Sequence, residues 1–214
     1  EYWQYVLKQN VIRVPEGCPT MNQALELAVV FSERNECTSE NPVKVAVGEG
    51  EHVMVGVASP DDYRRLLTRV SCSNITIVGK GKGKTTILGG FYVNGKQNVK
   101  IEQLAVTNEA GYGLWCQGSG YSFPSLNLSQ TNVDVTECCF KKCRSSGMIV
   151  RDGATATATR CDFMENGAYG VACYDANTKV RLNDSTMHHN GYYGLYARDH
   201  AVVDLHGTKT DIHS

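Results

Sequence analysis

The sequence predicts an all-β protein that winds as a parallel β-helix, with three short strands in each coil. Three observations lead to this prediction. Similar segments recur every 23–24 residues, apolar residues within each segment stand two positions apart, and glycine, asparagine or aspartate separates the apolar groups. Alternation at every second residue is typical of strands, because a helix repeats every 3.6 residues. A repeat of this length that holds only strands stacks as a β-helix.

The repeat is clearest in the C-terminal half of the chain. Gly147, Gly170 and Gly194 are 23 and 24 residues apart. Other columns of similar residues recur at the same interval: Cys138, Cys161 and Ser185; Phe140, Phe163 and Met187; Met148, Val171 and Leu195; and Val150, Cys173 and Ala197. Since neighbouring strands lie about 4.8 Å apart, we expect equivalent residues to stack directly above one another.

The pattern extends upstream and is interrupted once. The segments "NITIVG" and "NVKIEQLAV" begin at Asn74 and Asn98, 24 residues apart. From Gly113 to Gly147 the interval is 34 residues, eleven more than the 23 between Gly147 and Gly170. The surplus falls in residues 117–131, a polar stretch with Gly, Pro and Ser that we expect to loop out from one corner.

The N-terminal residues 10–50 are predicted to cap the stack with a helix over residues 20–35. Thr20 and Gln23 have the spacing of a capping box, and apolar residues follow at helical intervals at Met21, Leu25, Ala28 and Val29. An amphipathic helix laid across the open end of the stack shields its unpaired backbone.

Residues 51–214 are predicted to form the stacked coils, so that the 214 residues make a single β-helix domain of roughly seven coils. The last segment, "VVDLHGTKTDIHS", starts another coil and stops at Ser214 without a cap. We therefore expect the natural protein to continue there, or a partner to cover the end by end-to-end association.

The order "VIRVPEG", "TMNQALELA", "VKVAVGEGEH" and "NITIVGKGKGKTTILGG" resembles the opening of right-handed parallel β-helix proteins of the pectin-lyase-like superfamily. The later coils "MENGAYGVAC" and "HHNGYYGLYA" are similar to the repeats of eukaryotic F-box and of algal and bacterial β-helix proteins. The resemblance covers nearly all of residues 10–214 and implies a right-handed coil. It does not select a function, because the superfamily includes lyases, hydrolases, epimerases, adhesins and ubiquitin-ligase modules.

The stretch "VGKGKGKTTILGG", residues 78–90, ends like a phosphate-binding loop. That motif needs a glycine where Val78 stands, and a helix must follow it. Here the following residues are β-branched and glycine-rich, which favours a strand. We therefore predict a corner between strands 75–78 and 86–88, with its lysines directed to water.

Composition and charge exclude several classes of function. Lys and Arg number 21 against 22 Asp and Glu, a balance that predicts no nucleic-acid binding. No apolar run reaches the roughly 18 residues of a membrane span, so we predict no membrane association.

The nine cysteines lack the spacing of a zinc site, and we predict neither a metal nor a cofactor. Cys138, Cys161 and Cys173 fall in inward columns as small core residues, with a disulfide between Cys138 and Cys161 geometrically conceivable. Cys139 and Cys143 are expected outside or at a corner. His188 and His189 are adjacent, so in a strand they point to opposite faces and do not share a metal. The cellular compartment stays open.

Three aspartates, Asp152, Asp175 and Asp199, form a column two residues after an apolar position. Stacked carboxylates can bind Ca²⁺, whereas aspartate is also common in tight corners. The corner interpretation is favoured because Arg151 and Arg198 precede two of the acids and compete with a cation. The Arg–Asp pairs also have the chemistry of a lyase, although such pairs are common as surface ion pairs.

Two outward columns carry the candidate binding site. One contains Trp115, Ile149, Ala172 and Tyr196, and the next contains Gln117, Arg151, Tyr174 and Arg198. Aromatic rings beside arginines can stack on sugars and hold acid groups, or anchor a protein partner. The alternative is an apolar face buried by a tail or by a neighbouring chain. Together with the aspartate column, these residues are the predicted ligand-binding set: Trp115, Arg151, Asp152, Tyr174, Asp175, Tyr196, Arg198 and Asp199.

The first functional hypothesis is a non-catalytic β-helix module that presents a flat face to a protein or a glycan. The second is a polysaccharide-active enzyme, namely a lyase, hydrolase or C5-epimerase that acts on an acidic glycan. The third is a structural or adhesive rod. An enzyme requires carboxylates or basic groups that converge in one groove, whereas a binding module requires a flat face.

Overall fold

The structure, a computed structural model, describes residues 10–56, 67–118 and 130–213. Most of the predicted insertion at 117–131 lies outside these ranges. The described secondary structure, numbered in chain order, is β1 (Val11–Val14), α1 (Met21–Arg34), β2 (Val43–Val47), β3 (Gly50–Val53), β4 (Leu67–Val70), β5 (Ile75–Val78), β6 (Thr85–Leu88), β7 (Gly90–Asn94), β8 (Val99–Glu102), β9 (Ala105–Thr107), β10 (Leu114–Gln117), β11 (Asn132–Thr136), β12 (Cys139–Lys141), β13 (Met148–Arg151), β14 (Thr155–Thr159), β15 (Asp162–Met164), β16 (Val171–Cys173), β17 (Lys179–Asn183), β18 (Thr186–His188), β19 (Leu195–Ala197), β20 (Val202–His206) and β21 (Asp211–Ile212).

These strands form three parallel sheets, which the chain visits in turn. The first sheet has the order β1-β2-β5-β8-β11-β14-β17-β20, the second β3-β6-β9-β12-β15-β18-β21, and the third β4-β7-β10-β13-β16-β19. Each strand pairs with its equivalent one coil away. The predicted right-handed parallel β-helix with three strands per coil is confirmed.

The predicted columns stack in register inside the coil. Phe140 pairs with Phe163, and Phe163 with Met187. The two phenylalanine rings are nearly parallel, at 8°, with centroids 5.3 Å apart. Such columns fill one continuous core along the stack. Leu205 lies in the inward column after Leu182, yet it is 49% exposed because no described rung covers it.

A single residue in left-handed conformation turns the chain from the first sheet to the second. Gln103, Glu137, Arg160 and Asp184 have φ angles of 54°, 54°, 53° and 46°. Residues other than glycine rarely adopt this conformation, so the sharp corner is imposed by the stack. The expected glycine, asparagine or aspartate is missing at three of these four positions, since only Asp184 belongs to that set. The sequence pattern therefore underspecifies this corner.

A buried asparagine secures the corner between the second and third sheets. Asn166, 2% exposed, accepts a hydrogen bond from the Cys143 backbone N–H at 3.1 Å. Its amide donates to the Phe140 carbonyl at 3.1 Å and to Asn190 Oδ1 at 3.0 Å. Asn190 repeats the pattern one coil further, donating to the Phe163 carbonyl at 3.0 Å. The Asn166 side chain thus gives the Cys143 N–H an acceptor and ties the corner to the coils on either side.

The predicted helix is present and begins at the predicted cap. Thr20 Oγ1 accepts a hydrogen bond from the Gln23 backbone N–H at 3.3 Å. The face that packs on β1 and β2 buries Met21, Ala24, Leu25, Ala28 and Phe31. Since β1 and β2 are themselves the first two strands of the first sheet, the N-terminal segment also contributes rungs to the stack. In the described ranges no helix has the length and apolar character needed to cross a bilayer.

The lysine-rich stretch forms a corner, as expected. β5 ends at Val78, and β6 begins at Thr85, one residue before the predicted start. No helix follows, so the geometry of a phosphate-binding loop is absent from this described segment. Two of the exposed lysines pair with acids: Lys82 Nζ lies 2.5 Å from Asp162 Oδ2, and Lys84 Nζ lies 3.1 Å from Glu49 Oε1.

All nine cysteines are free and buried. The conceivable disulfide between Cys138 and Cys161 is not formed, and each thiol donates to backbone carbonyls instead, at 3.4–3.5 Å. Cys139 and Cys143, expected outside or at a corner, are also buried. Their neighbours in the stack and at the corner cover them.

Replacing Asn166 tests the corner. Asn166→Ala removes the acceptor of the buried Cys143 N–H, and we expect it to lower the free energy of unfolding by about 1–3 kcal/mol. The matched control is Asn132→Ala, since half-buried Asn132 donates only to Thr155 Oγ1 at 3.1 Å. Urea unfolding followed by circular dichroism gives both values. Equal losses in the two variants would contradict the role assigned to the buried amide.

The buried thiols predict a loss of stability at high pH. Burial raises the pKa of Cys143 and of Cys161 from 9.0 to about 12, and that of Cys72 to about 11. Above pH 9 the unfolded chain therefore releases protons that the folded chain retains, so the free energy of unfolding falls as pH rises. We expect a lower thermal unfolding midpoint at pH 10.5 than at pH 8. An unchanged midpoint would show that these thiols ionise equally well in the folded state.

Candidate ligand-binding face

The candidate site lies on the outer face of the third sheet. The predicted column Trp115, Ile149, Ala172 and Tyr196 is in register across four strands, and it extends upstream through Tyr92 and Arg69. Tyrosines from the neighbouring corners and strand ends join it. We call this surface the aromatic face; its members are Tyr92, Tyr112, Trp115, Ile149, Tyr169, Ala172, Tyr174, Tyr193 and Tyr196, with Arg151 and Arg198 at its edge.

The upstream half of the aromatic face is largely covered. Trp115 is only 8% exposed, and Ile149 and Ala172 are also buried. Tyr112 stands edge-on to Trp115, with ring centroids 4.9 Å apart and planes at 88°. Trp115 was expected as a contact residue, and the structure places it beneath neighbouring rings. Tyrosines at the corners fold back over the sheet, which the strand pattern did not show.

The downstream half presents an open tyrosine cluster. The ring of Tyr169 lies 4.7 Å from that of Tyr196, with planes at 11°, and 6.2 Å from that of Tyr193, with planes at 13°. Tyr193 and Tyr196 are also near parallel, at 9° and 6.4 Å. Tyr192 and Tyr193 are 64% and 56% exposed. The three rings are therefore stacked in nearly parallel planes across two coils, with the exposed Tyr193 ring at the open side of the cluster.

Sequence reasoning missed Tyr169, Tyr192 and Tyr193. A signal for two of them was present, because a tyrosine stands directly before the repeat glycine at Tyr112, Tyr169 and Tyr193, in "GYG", "AYG" and "YYG". In the coil between Tyr112 and Tyr169, the equivalent residue is Ser146. The Ser146 carbonyl accepts from the Gly113 N–H as the Tyr169 carbonyl accepts from the Gly147 N–H. Equivalent corner residues stack, so these tyrosines necessarily line one edge of the third sheet.

Arg198 joins this cluster through Tyr174. Its Cζ lies 5.1 Å from the centroid of the Tyr174 ring, within the range of a cation–π interaction. The rings of Tyr174 and Tyr196 are 5.8 Å apart. Burial, and then the neighbouring phenols, raises the pKa of Tyr174 to about 12. The Arg198 guanidinium and the protonated Tyr174 hydroxyl are therefore both hydrogen-bond donors at neutral pH.

The aspartate column occupies left-handed corners. Asp152, Asp175 and Asp199 have φ angles of 57°, 74° and 57°, which agrees with the corner interpretation, since aspartate adopts this conformation more readily than most residues. Among the described residues no group of three His, Cys, Asp or Glu side chains could hold a metal ion.

The same aspartates are engaged by neighbouring side chains. Arg151 lies 3.1 Å from Asp152 Oδ2 through Nε and 3.6 Å from Asp175 Oδ2 through Nη2. Asp152 Oδ2 also accepts a hydrogen bond from Gln117 Nε2 at 2.7 Å. One coil further, Arg198 Nε lies 3.0 Å from Asp199 Oδ2. The structure thus brings Arg151, Asp152 and Asp175 together, and it pairs Arg198 with Asp199.

Two donors on this face have no acceptor among the described residues. Trp115 Nε1 and Arg151 Nε are buried, and neither makes a hydrogen bond. Arg151 Nε is close to Asp152 Oδ2 but is not aligned with it as a hydrogen-bond donor. A buried donor without a partner costs about 1–3 kcal/mol.

The histidine pair differs from the expectation. His188 and His189 do not point to opposite faces, because the strand ends at His188 and His189 is left-handed, with φ 54°. The two Nδ1 atoms are 2.8 Å apart. One ring therefore donates to the other at the end of β18, in the second sheet.

A family model described as "right handed beta helix region" matches residues 71–210. The chain belongs to this right-handed β-helix family. The match covers all the coils that carry the aromatic face downstream of β4. The comparison with curated proteins gives no match.

Solved structures share the β-helix over nearly the whole chain. ORF18 of Geobacillus virus E2 aligns with a TM-score of 0.60 and 12% identity, over 97% of this chain and 43% of that protein. The A-module of the Azotobacter vinelandii mannuronan C-5 epimerase AlgE4 aligns with a TM-score of 0.51 and 12% identity, over 92% of this chain and 68% of the module. This β-helix chain therefore spans less than half of the viral protein, and identity at this level shows a shared fold alone.

The aspartate column predicts a clear response to substitution and to calcium. Asp175→Asn retains a residue that tolerates the left-handed conformation, and we expect its free energy of unfolding to stay within about 0.5 kcal/mol of the parent. Asp175→Val adds a β-branched side chain at φ 74° and should cost roughly 1–2 kcal/mol or more.

Thermal unfolding of both variants and of the parent, with and without millimolar Ca²⁺, distinguishes a corner from a metal site. If Asp175 is only a corner residue, Ca²⁺ should not shift the thermal unfolding midpoint of any of the three proteins. A rise in the unfolding midpoint that the parent shows and Asp175→Asn loses would identify the carboxylates as calcium ligands.

Proposed function

We propose that this chain is a non-catalytic β-helix module that binds an acidic glycan on its aromatic face. The observation that carries the proposal is the tyrosine cluster of Tyr169, Tyr193 and Tyr196, whose rings stack in nearly parallel planes. Tyr193 is 56% exposed, and Arg198 is exposed nearby. Aromatic faces pack against the C–H surface of a sugar ring, because both are broad and weakly hydrated.

Charge and hydrogen bonding favour an acidic glycan over a neutral one. Arg198 stands over Tyr174 at the edge of the tyrosine cluster. Its guanidinium is suited to a carboxylate. Further along the same face, the Arg151 side chain is 37% exposed and adds a second guanidinium, which Asp152 and Asp175 hold in place.

The non-catalytic part of the proposal is supported by how the acids of this face are used. A general acid or base must reach the substrate proton with a carboxyl oxygen that is available for transfer. Asp152 and Asp175 direct oxygens to Arg151, and Asp199 directs one to Arg198. These carboxylates fix corners and hold arginines in place.

An enzyme that modifies an acidic polysaccharide is the second candidate. It is favoured by the structural similarity to the A-module of an enzyme named mannuronan C-5 epimerase. At 12% sequence identity, this similarity shows a shared fold alone. A protein ligand is the third candidate, because exposed tyrosines also anchor protein interfaces.

Binding and turnover are measured on the same glycans. We expect titration calorimetry to detect binding of oligouronates and weaker binding of neutral oligosaccharides of equal length. We expect no ultraviolet absorbance from an unsaturated uronide product and no change in uronate configuration by NMR. Product formation would establish the enzyme, and failure to bind any glycan would refute the proposal.

Variants place the binding on the aromatic face. Tyr193→Ala and Arg198→Ala alter exposed side chains, so the fold should persist while affinity for oligouronate falls about tenfold, or about 1.4 kcal/mol. Tyr193→Phe keeps the ring and is the matched control, expected to bind within about threefold of the parent. Equal losses for Tyr193→Phe and Tyr193→Ala would show that the hydroxyl, and not ring stacking, is the contact.

A further inference from the structure

A second binding region lies on a different surface of the β-helix. The outer face of the first sheet contains a groove of about 420 Å³ near the N-terminal end of the stack, between β1, β2, β5 and the corner that follows β5. Small-molecule sites in proteins commonly have volumes of about 300–1,000 Å³. The residues used in the argument are Arg13, Lys44, Ala46, Val78, Lys80 and Gln103.

The strand register arranges these side chains. Arg13 pairs with Ala46, and Ala46 with Val78, so the three form one row across three strands. Since strands are about 4.8 Å apart, the row is about 10 Å long. Lys44 points outward two residues before Ala46 on β2, and Lys80 follows the end of β5. The groove therefore has a small apolar floor, formed by Ala46 and Val78, with cations at both ends.

The corner that carries Lys80 is fixed. The Lys80 N–H donates to Thr85 Oγ1 at 2.9 Å, and this hydroxyl donates to the Gly48 carbonyl at 2.8 Å. At Gly79 a Cβ would lie 2.3 Å from the Gln103 carbonyl oxygen. Glycine thus allows the two coils to approach closely, which brings the Gln103 amide to the edge of the groove. The backbones of Lys80 and Gln103 are therefore fixed, and the Gln103 side-chain N–H donates to Glu137 Oε2 at 3.2 Å, which leaves the Gln103 side-chain oxygen as an acceptor.

The charge of the groove is uncompensated. Within residues 10–56, 67–118 and 130–213, no carboxylate forms an ion pair with Arg13, Lys44 or Lys80. No acidic residue is among the described residues that line the groove. The chain as a whole has a net charge of −1, so this positive surface is a local feature. Clefts lined by charge of one sign attract ligands of the other sign.

The positive charge does not continue along the sheet. On the next strand, β8, the positions that face Thr76 and Val78 are Lys100 and Glu102, one cation and one acid. A long polyanion would meet repulsion at Glu102. The groove is therefore suited to a short anionic segment.

We infer that this groove binds a short anionic segment of an oligosaccharide. The three cations match two or more acid groups, Gln103 matches a hydroxyl, and the apolar floor matches the C–H face of a sugar. A nucleotide fits less well, because none of the described lining residues is aromatic to stack on a base. The ligand class rests on the proposed function, whereas the residues are separate from the aromatic face.

Titration calorimetry on the whole chain tests the inference with tetragalacturonate, a sulfated tetrasaccharide and neutral maltotetraose, at low and at 0.5 M salt. We expect an anionic tetrasaccharide to bind, with affinity falling steeply at high salt, and the neutral one not to bind at the groove. Comparison of the carboxylated and sulfated probes identifies which acid group the cations prefer. Binding of maltotetraose as tight as that of both anionic probes would overturn the inference.

The variant Arg13→Glu/Lys44→Glu should lower affinity for the anionic probe at the groove at least tenfold. Lys179→Glu/Arg181→Glu is the matched control, since it makes the same charge change on β17 of the same sheet. Circular dichroism and thermal unfolding confirm that both variants fold. Arg13→Lys/Lys44→Arg keeps the charges and should bind within about threefold of the parent.

The two sites fail in distinguishable ways. If the groove exists, Tyr193→Ala removes one class of sites and Arg13→Glu/Lys44→Glu removes another. If only Tyr193→Ala lowers the affinity for the anionic tetrasaccharide, the aromatic face is supported and the groove is refuted. If only Arg13→Glu/Lys44→Glu lowers it, the groove is supported and the aromatic face is refuted. Equal losses with the groove variant and the β17 control would refute the groove, because they would reflect net charge alone.

Discussion

Each coil must return to the position directly above its own start, one strand spacing away. This constraint governs the rest of the molecule. The backbone hydrogen bonds of the three sheets run between coils, so an equivalent residue in every coil meets the same surroundings. Phe140 and Phe163 stack nearly parallel at 5.3 Å for this reason. Where the chain turns, the constraint forces residues such as Glu137 and Arg160 into left-handed conformation, against their usual preference. The cost is tolerated because both neighbouring strands are paired.

The same constraint explains what the sequence could predict. Inward columns were predictable, since a residue that must fit between its equivalents is restricted in size and polarity, as in Cys138, Cys161 and Ser185. The helix was predictable from Thr20 and Gln23, because a capping box is a local signal. Corners were less predictable: Glu137 and Arg160 have no local preference for the conformation that they adopt. The prediction for His188 and His189 failed for a similar reason. It assumed strand alternation at both residues, whereas β18 ends at His188 and His189 belongs to the corner.

The sequence predicted which side chains of the candidate face point outward, but not which of them are exposed. Alternation correctly directed Trp115 outward from the coil, yet it contained nothing about Tyr112, whose ring covers it at 4.9 Å. Whether an outward residue is exposed depends on corner side chains that fold back, and these follow no strand period.

The buried polar groups inside the coil and on its outer face differ in whether they have hydrogen-bond partners. Asn166 lies inside a corner and has partners for its carbonyl oxygen and amide, whereas Trp115 Nε1 on the outer face has none among the described residues. Among the described residues, the buried side-chain nitrogens without a hydrogen-bond partner, Trp115 Nε1 and Arg151 Nε, both lie on the aromatic face.

A β-helix also determines how its surfaces relate to one another. The groove lies on the first sheet and the aromatic face on the third, and the continuous buried core lies inside all three sheets. Every described strand except the first and last of each sheet is hydrogen-bonded on both sides, so a side-chain contact on one face has little means of shifting the backbone of another. Free-energy changes at sites that share no partners are additive to within a few tenths of a kcal/mol. Occupancy of the groove and of the aromatic face should therefore be independent. Any joint effect on a polysaccharide would then come from attaching two segments at once, through effective concentration, and not from a conformational change between the sheets.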